Sequence, residues 1–167
     1  MAPMQAPLSS LMTIPRGREG TKATLNLMRQ LIRQGKKSSA IRQLAVELTS
    51  GLPQKDWLSE VTAVHKFVRD NIRYVKDIRG VETIHTVERI LSNAAGDCDD
   101  KTILAASLLE SLGHPTRIVA IGFKQNSFSH VYPETLIGNK WITLETTEPV
   151  AIGWKPKNIV NAMILNN

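Results

Sequence analysis

At Gly113-His114-Pro115 the spacing of apolar residues changes from a helical period to an alternating one, and no other feature constrains the fold as strongly. Upstream, apolar side chains recur at i, i+3, i+4 and i+7; downstream they alternate. Helices therefore gather in the first half of the chain and strands in the second, an α+β arrangement.

The upstream period predicts a helix over Thr21–Gln34, with Leu25, Met28, Leu31 and Ile32 on one side and Gly35 closing it. Ser38 or Ser39 caps a second helix carrying Ile41, Leu44, Ala45 and Leu48, which Gly51 and Pro53 end. Asp56 caps a third with Val61, Val64, His65 and Val68. His65 reads as a packed histidine, since no second ligand stands four residues on. Ile72–Val75 is a short strand candidate, Asp77–Gly80 a loop, and Glu82–Leu91 a short helix. Downstream, Arg117–Phe123, His130–Leu136 and Trp141–Glu145 read as strands, and Ile159–Leu165 as a final turn or strand. Residues 1–21, with three prolines and two glycines, read as an irregular arm that is mobile or ordered by a partner, and residues 22–167 as one domain.

Between the two halves lies Gly96-Asp97-Cys98-Asp99-Asp100-Lys101-Thr102, running into the apolar stretch Ile103–Leu112. The helix starting at Cys98 has a wide apolar face and should be largely buried. Cys98 is the only cysteine, so no internal disulfide exists, and it falls at the helix N-terminus. Free backbone N–H groups and the helix dipole there favour a thiolate. Asp99 and Asp100 in the first turn are accounted for by the same dipole. His130 on a later strand and Glu145 on the next supply a base and an acid, in an order that suits thiol-based acyl transfer. The backbone N–H of Cys98 is a natural oxyanion donor. Tyr74 reads first as a core tyrosine and second as the other oxyanion donor; Asp97 and Tyr132 complete the candidates that shape the site.

Ile137-Gly138-Asn139-Lys140 carries hairpin chemistry. With Gly138-Asn139 as a two-residue turn, Ile137 pairs with Lys140, Tyr132 faces Glu145 and His130 faces Thr147. Paired residues point to one side of a sheet, so His130, Tyr132 and Glu145 share a face. A one-residue slip would bring Glu148 opposite His130 instead. Sequence leaves both registers open, and Glu145 is the preferred acid.

The net charge of +6 is uneven: residues 1–80 carry 14 Lys/Arg against 6 Asp/Glu, the remainder 7 against 9. The basic residues are scattered on helices without interleaved aromatics, which argues against nucleic acid as a partner and for a solvated basic face. No stretch reaches the ~18 apolar residues of a membrane span. The amino terminus lacks a basic n-region and a sustained apolar run, so it does not read as a signal peptide; the expected location is the cytoplasm or a virion assembled there. No metal-ligand spacing or cofactor motif stands out.

Gly96–Thr102, His130-Val131-Tyr132 and Trp141–Thr147 together resemble the transglutaminase-like cysteine peptidase/acyltransferase superfamily, over roughly residues 22–150. Phe67–Val75 resembles the bacterial and phage branch, in particular small proteins encoded among the virion genes of tailed phages. The resemblance implies a papain-like core, a nucleophile helix packed on an antiparallel sheet. It implies Cys98 as nucleophile and His130 as base acting on peptide or protein amides, without metal or cofactor. Other phage structural proteins become candidate partners. Glu145 stands where that family usually has Asp. The extra methylene leaves two functions open, an enzyme or a structural component that keeps the fold.

Overall fold

Asp100 through Leu109 are all buried, because this helix presents apolar side chains on nearly every side and can be stable only if enclosed. In the computed structural model, which describes residues 17–77 and 83–167, the other elements are arranged to enclose it. The chain runs α1 (Gly17–Gly35), α2 (Ser39–Thr49), α3 (Trp57–Asn71), β1 (Arg73–Tyr74), α4 (Val87–Asn93), β2 (Ala95–Gly96) and α5 (Cys98–Ser111). The strands β3 (Thr116–Gly122), β4 (His130–Ile137), β5 (Lys140–Thr143) and β6 (Asn161–Asn166) follow. The four helices α1–α4 pack on α5 from one side and the sheet from the other. Gly35 marks a close helix approach: a Cβ there would lie 2.5 Å from Ser107 Oγ and 2.7 Å from Val87 Cγ1.

The sheet is antiparallel throughout, in the order β5-β4-β3-β6. Ile118, Ala120 and Val131 join the main core, while Val119, Ile121 and Tyr132 form a small apolar cluster of their own. Alternation along β3 and β4 accounts for the split. The hairpin has the predicted register, Ile137 opposite Lys140 through Glu134 opposite Thr143, and Gly138 adopts φ +61° at the first turn position. The pairing then stops. Leu144 N–H still donates to Pro133 O at 3.0 Å, but Tyr132/Glu145 and His130/Thr147 are not ladder pairs.

Two helix starts differ from expectation. Helix α1 begins at Gly17, so residues 17–21 belong to a helix; Thr21 Oγ1 donates to Gly17 O and Glu19 pairs with Lys22 across its first turn. Residues 1–16 lie outside the described residues, as does most of the expected Asp77–Gly80 loop. Helix α4 starts at Val87 instead of Glu82, because carboxylates hold the preceding backbone: Thr83 N–H donates to Asp77 and His85 N–H to Asp100. The Ile159–Leu165 run contributes β6, the edge strand against β3. Among the described residues, no helix is long and apolar enough to cross a membrane.

Candidate active site

The Gly96–Asp100 run folds as a set of short-range contacts that fix where α5 begins. The Asp97 carboxylate accepts from Asp100 N–H at 3.1 Å and caps the helix. A Cβ on Gly96 would lie 2.5 Å from Asp100 Cβ, so the close pass of β2 over the helix start requires glycine. Asp100 is 1% exposed. It accepts from His85 N–H at 3.0 Å and pairs with His85 Nδ1 at 2.9 Å. Its role is therefore to pin the segment before α4, which the dipole account had missed.

Cys98, half-buried, opens the helix with its sulfur against the Val131 backbone N–H and 3.9 Å from Asp99 Oδ1. The thiol is shifted the other way from the expectation drawn from the dipole. Burial pushes its pKa up, Asp99 and Asp97 add to the rise, and hydrogen bonds from backbone N–H groups offset only part. At rest Cys98 is a protonated thiol.

The contact with Val131 places the sulfur beside the residue that follows His130. His130 Nε2 meets Glu145 Oε2 at 2.5 Å. The other carboxylate oxygen accepts from Thr147 N–H and Thr147 Oγ1, both at 2.7 Å. Burial alone would raise Glu145, but hydrogen bonds from His130 and Thr147 hold its pKa below the ordinary value, so it stays ionised at neutral pH. Glu145 is the acid that meets the ring; Glu148 is exposed and borders the groove nearby. Nδ1 of His130 makes no hydrogen bond among the described residues.

Helix α3 supplies residues that sequence reasoning did not assign to the site. His65 Nε2 donates to the Glu145 carbonyl at 2.6 Å, and Arg69, one turn later, donates to Val150 O at 3.0 Å. These two residues, four apart on one helix face, hold the segment that bears Glu145. Their spacing was the available signal, concealed because His65 also fits an apolar stripe. Among the described residues Lys101 is the largest fully buried side chain; its ammonium donates to Ile72 O at 2.7 Å, at the end of α3.

The remaining candidates separate by position. Tyr74 is not a core residue: it is 47% exposed, because β1 pairs in parallel with β2 and sets Tyr74 beside Gly96 at the rim of the site. Tyr132 is buried, its ring 6.1 Å from that of His130, and it packs with Val119 and Ile121 behind the imidazole. A groove of about 520 Å³ opens onto His130 and Glu145, bordered by Tyr74, Phe123 and Trp154; the Cys98 sulfur does not line it. Among the described residues no cluster of His, Cys, Asp and Glu has metal-binding geometry.

Two solved structures share this architecture. A Cytophaga hutchinsonii protein provisionally assigned as a cysteine protease matches with TM-score 0.54 at 22% identity, covering 81% of this chain and 51% of its own. A Parabacteroides distasonis protein provisionally assigned as a protease matches with TM-score 0.61 at 16% identity, covering 85% of this chain and 32% of its own. This chain thus spans about half the length of the first and about a third of the second. A search among curated proteins finds no match. The sequence model of the transglutaminase-like superfamily matches residues 42–146, which include the α5 N-terminus, His130 and Glu145. With well over half of its length inside that match, the chain belongs to the transglutaminase-like superfamily.

Proposed function

We propose that this protein is a thiol-dependent amide hydrolase or acyltransferase in which Cys98 is the nucleophile, His130 the general base and acid, and Glu145 the residue that orients and charges the imidazole. One observation carries the proposal: Glu145 is buried with both carboxylate oxygens engaged, one by His130 Nε2, while the Cys98 sulfur lies against the backbone N–H of Val131, the residue after His130.

Because burial keeps Cys98 protonated, the reaction starts with base catalysis and not with a standing thiolate. His130 Nδ1 takes the thiol proton as sulfur attacks the carbonyl carbon; the imidazolium is stabilised by ionised Glu145. Nε2–H donates to Glu145 throughout, which fixes the tautomer that leaves Nδ1 available. The tetrahedral oxyanion is met by the Cys98 backbone N–H at the helix start and by the Tyr74 hydroxyl at the rim. The imidazolium then protonates the departing amine, leaving a thioester. Water or a second amine, deprotonated by the same imidazole, resolves it. Thr147 compensates for the longer reach of glutamate by anchoring its far oxygen.

The resemblance to proteins encoded among tailed-phage virion genes leads us to place this chemistry on a phage particle, acting on peptide or protein amides during entry or assembly. The raised thiol and its absence from the groove wall favour a second reading, a particle component that keeps the fold without turnover. Acyl-enzyme capture separates the two. Mixed with p-nitrophenyl acetate, the enzyme releases a burst of one nitrophenol per chain and carries acetyl on Cys98 by mass spectrometry. His130→Ala slows the burst on the order of 10²-fold or more. No burst, or one that persists in Cys98→Ala, overturns the catalytic reading.

A further inference from the structure

Of the eight aromatic side chains in the sequence (three Trp, two Tyr, three Phe), four are large and exposed: Trp57, Tyr74, Phe123 and Trp154. Three of these four border the groove that opens onto His130 and Glu145. They reach it from unrelated parts of the chain: Tyr74 from β1, Phe123 from the end of β3, and Trp154 from the loop between β5 and β6. Sequence proximity does not explain the cluster, and solvent-exposed aromatic surface concentrated at one concave site is the composition of a ligand pocket.

The aromatic walls are built in place. A Cβ on Gly122 would lie 1.5 Å from Ser127 O, so the loop after Phe123 folds directly back over the end of β3, where Ser129 N–H donates to Ile121 O at 2.9 Å. Asn161 Nδ2 ties the same loop to β6 through Lys124 O at 2.7 Å. On the opposite wall, Gly153 N–H donates to Thr143 O at 2.7 Å, and Lys155 next to Trp154 pairs with buried Glu134 at 3.4 Å. Walls fixed before binding cost little to order. The rim is charged: Glu148 and Lys157 line the groove, both exposed, and neither makes an ion pair among the described residues. An aromatic trough with one unpaired charge of each sign suits a peptide with one large apolar side chain and polar neighbours, and does not suit a purely apolar ligand.

We infer that this groove selects a peptide substrate by an aromatic side chain seated among Tyr74, Phe123 and Trp154, within one residue of the carbonyl that Cys98 attacks. The inference rests on the proposed thiol chemistry and is tested separately from it. Cys98 alkylation is followed by mass spectrometry for three probes: the acetyl-Gly-Phe, acetyl-Phe-Gly and acetyl-Gly-Gly chloromethyl ketones. Seating an aromatic ring in a formed apolar pocket is worth on the order of tenfold or more in rate. One Phe probe should therefore outpace the Gly-Gly probe by that factor in the wild-type protein. In Trp154→Ala, and independently in Phe123→Ala, the ratio should fall to about threefold or less, the fold of each variant being checked by circular dichroism. Equal rates for all three probes overturn the inference, as does a Phe preference that survives both substitutions. A Phe preference together with no acyl-enzyme burst would sustain the groove assignment and remove only the catalytic reading.

Discussion

Replacing Lys101 with Met isolates the cost of a buried charge behind the site. The ammonium is 2% exposed, and burial lowers its pKa from 10.5 to about 8, with Glu145 and Asp70 opposing the drop. At about 1.4 kcal/mol per tenfold change in proton affinity, keeping it charged costs about 3 kcal/mol at pH 7. The folded pKa lies below the unfolded one, so between about pH 8 and 10.5 the unfolded chain binds more protons and stability rises with pH. Lys101→Met removes that cost but strips Ile72 O of its 2.7 Å donor, a loss of about 1–3 kcal/mol. The two effects oppose each other, so the variant should lie within about 2 kcal/mol of wild type at pH 7. The pH dependence is decisive. From pH 7 to pH 10 the wild-type protein should gain about 2 kcal/mol relative to the variant. Urea unfolding at both pH values measures this. Cys98 and the tyrosines titrate alike in both proteins and cancel in the difference. Parallel stability curves over that interval would refute a strained, buried ammonium.

Asp97→Asn keeps the helix cap while removing a carboxylate whose pKa burial raises to about 6. A raised carboxylate loses stability as pH climbs through 3.8 to 6, so the variant should be more stable at pH 7 by about 1–2 kcal/mol and lose that advantage below pH 4. Thermal melts at pH 7 and pH 4 check it, and a destabilised variant at pH 7 contradicts it. For His65, burial holds the pKa below 6.5, so the folded state resists protonation and stability drops as pH falls through that value. His65→Gln should flatten the pH 5–7 stability profile; an unchanged slope would show that His65 is not its source. Gly122→Ala drives a Cβ into Ser127 O and should cost about 2 kcal/mol or more by urea midpoint; a neutral outcome would contradict the tight return of that loop.

Features set by neighbouring residues were legible in the sequence. Asp56 caps α3 as expected because cap chemistry is local. Of the two hairpin registers the sequence left open, the one with Gly138-Asn139 as a two-residue turn is the one formed. What depends on tertiary packing was not legible. The thiol's direction of titration reverses because enclosure of α5 buries Cys98 among carboxylates, which outweighs the helix terminus. Glu145, the acid preferred from the sequence, does meet His130, but from beyond the last ladder pair, where Thr147 and His65 rather than strand pairing set its position. Asp100 was accounted for by the helix dipole alone and Lys101 was assigned no role, because their partners, His85 and the Ile72 carbonyl, lie 15 and 29 residues away. Tyr74 is exposed because the short parallel β1–β2 pairing lies at the site's rim and not in the core.

The central claim is that His130, held by Glu145, primes the Cys98 sulfur. The most direct test is the pH profile of Cys98 alkylation by iodoacetamide in the wild-type protein, His130→Ala and Glu145→Gln. A primed thiol reacts at pH 7 on the order of tenfold or more faster in the wild type than in His130→Ala, with Glu145→Gln in between. Three superimposable profiles, each rising only above the ordinary thiol range near ~8.5, would contradict the account.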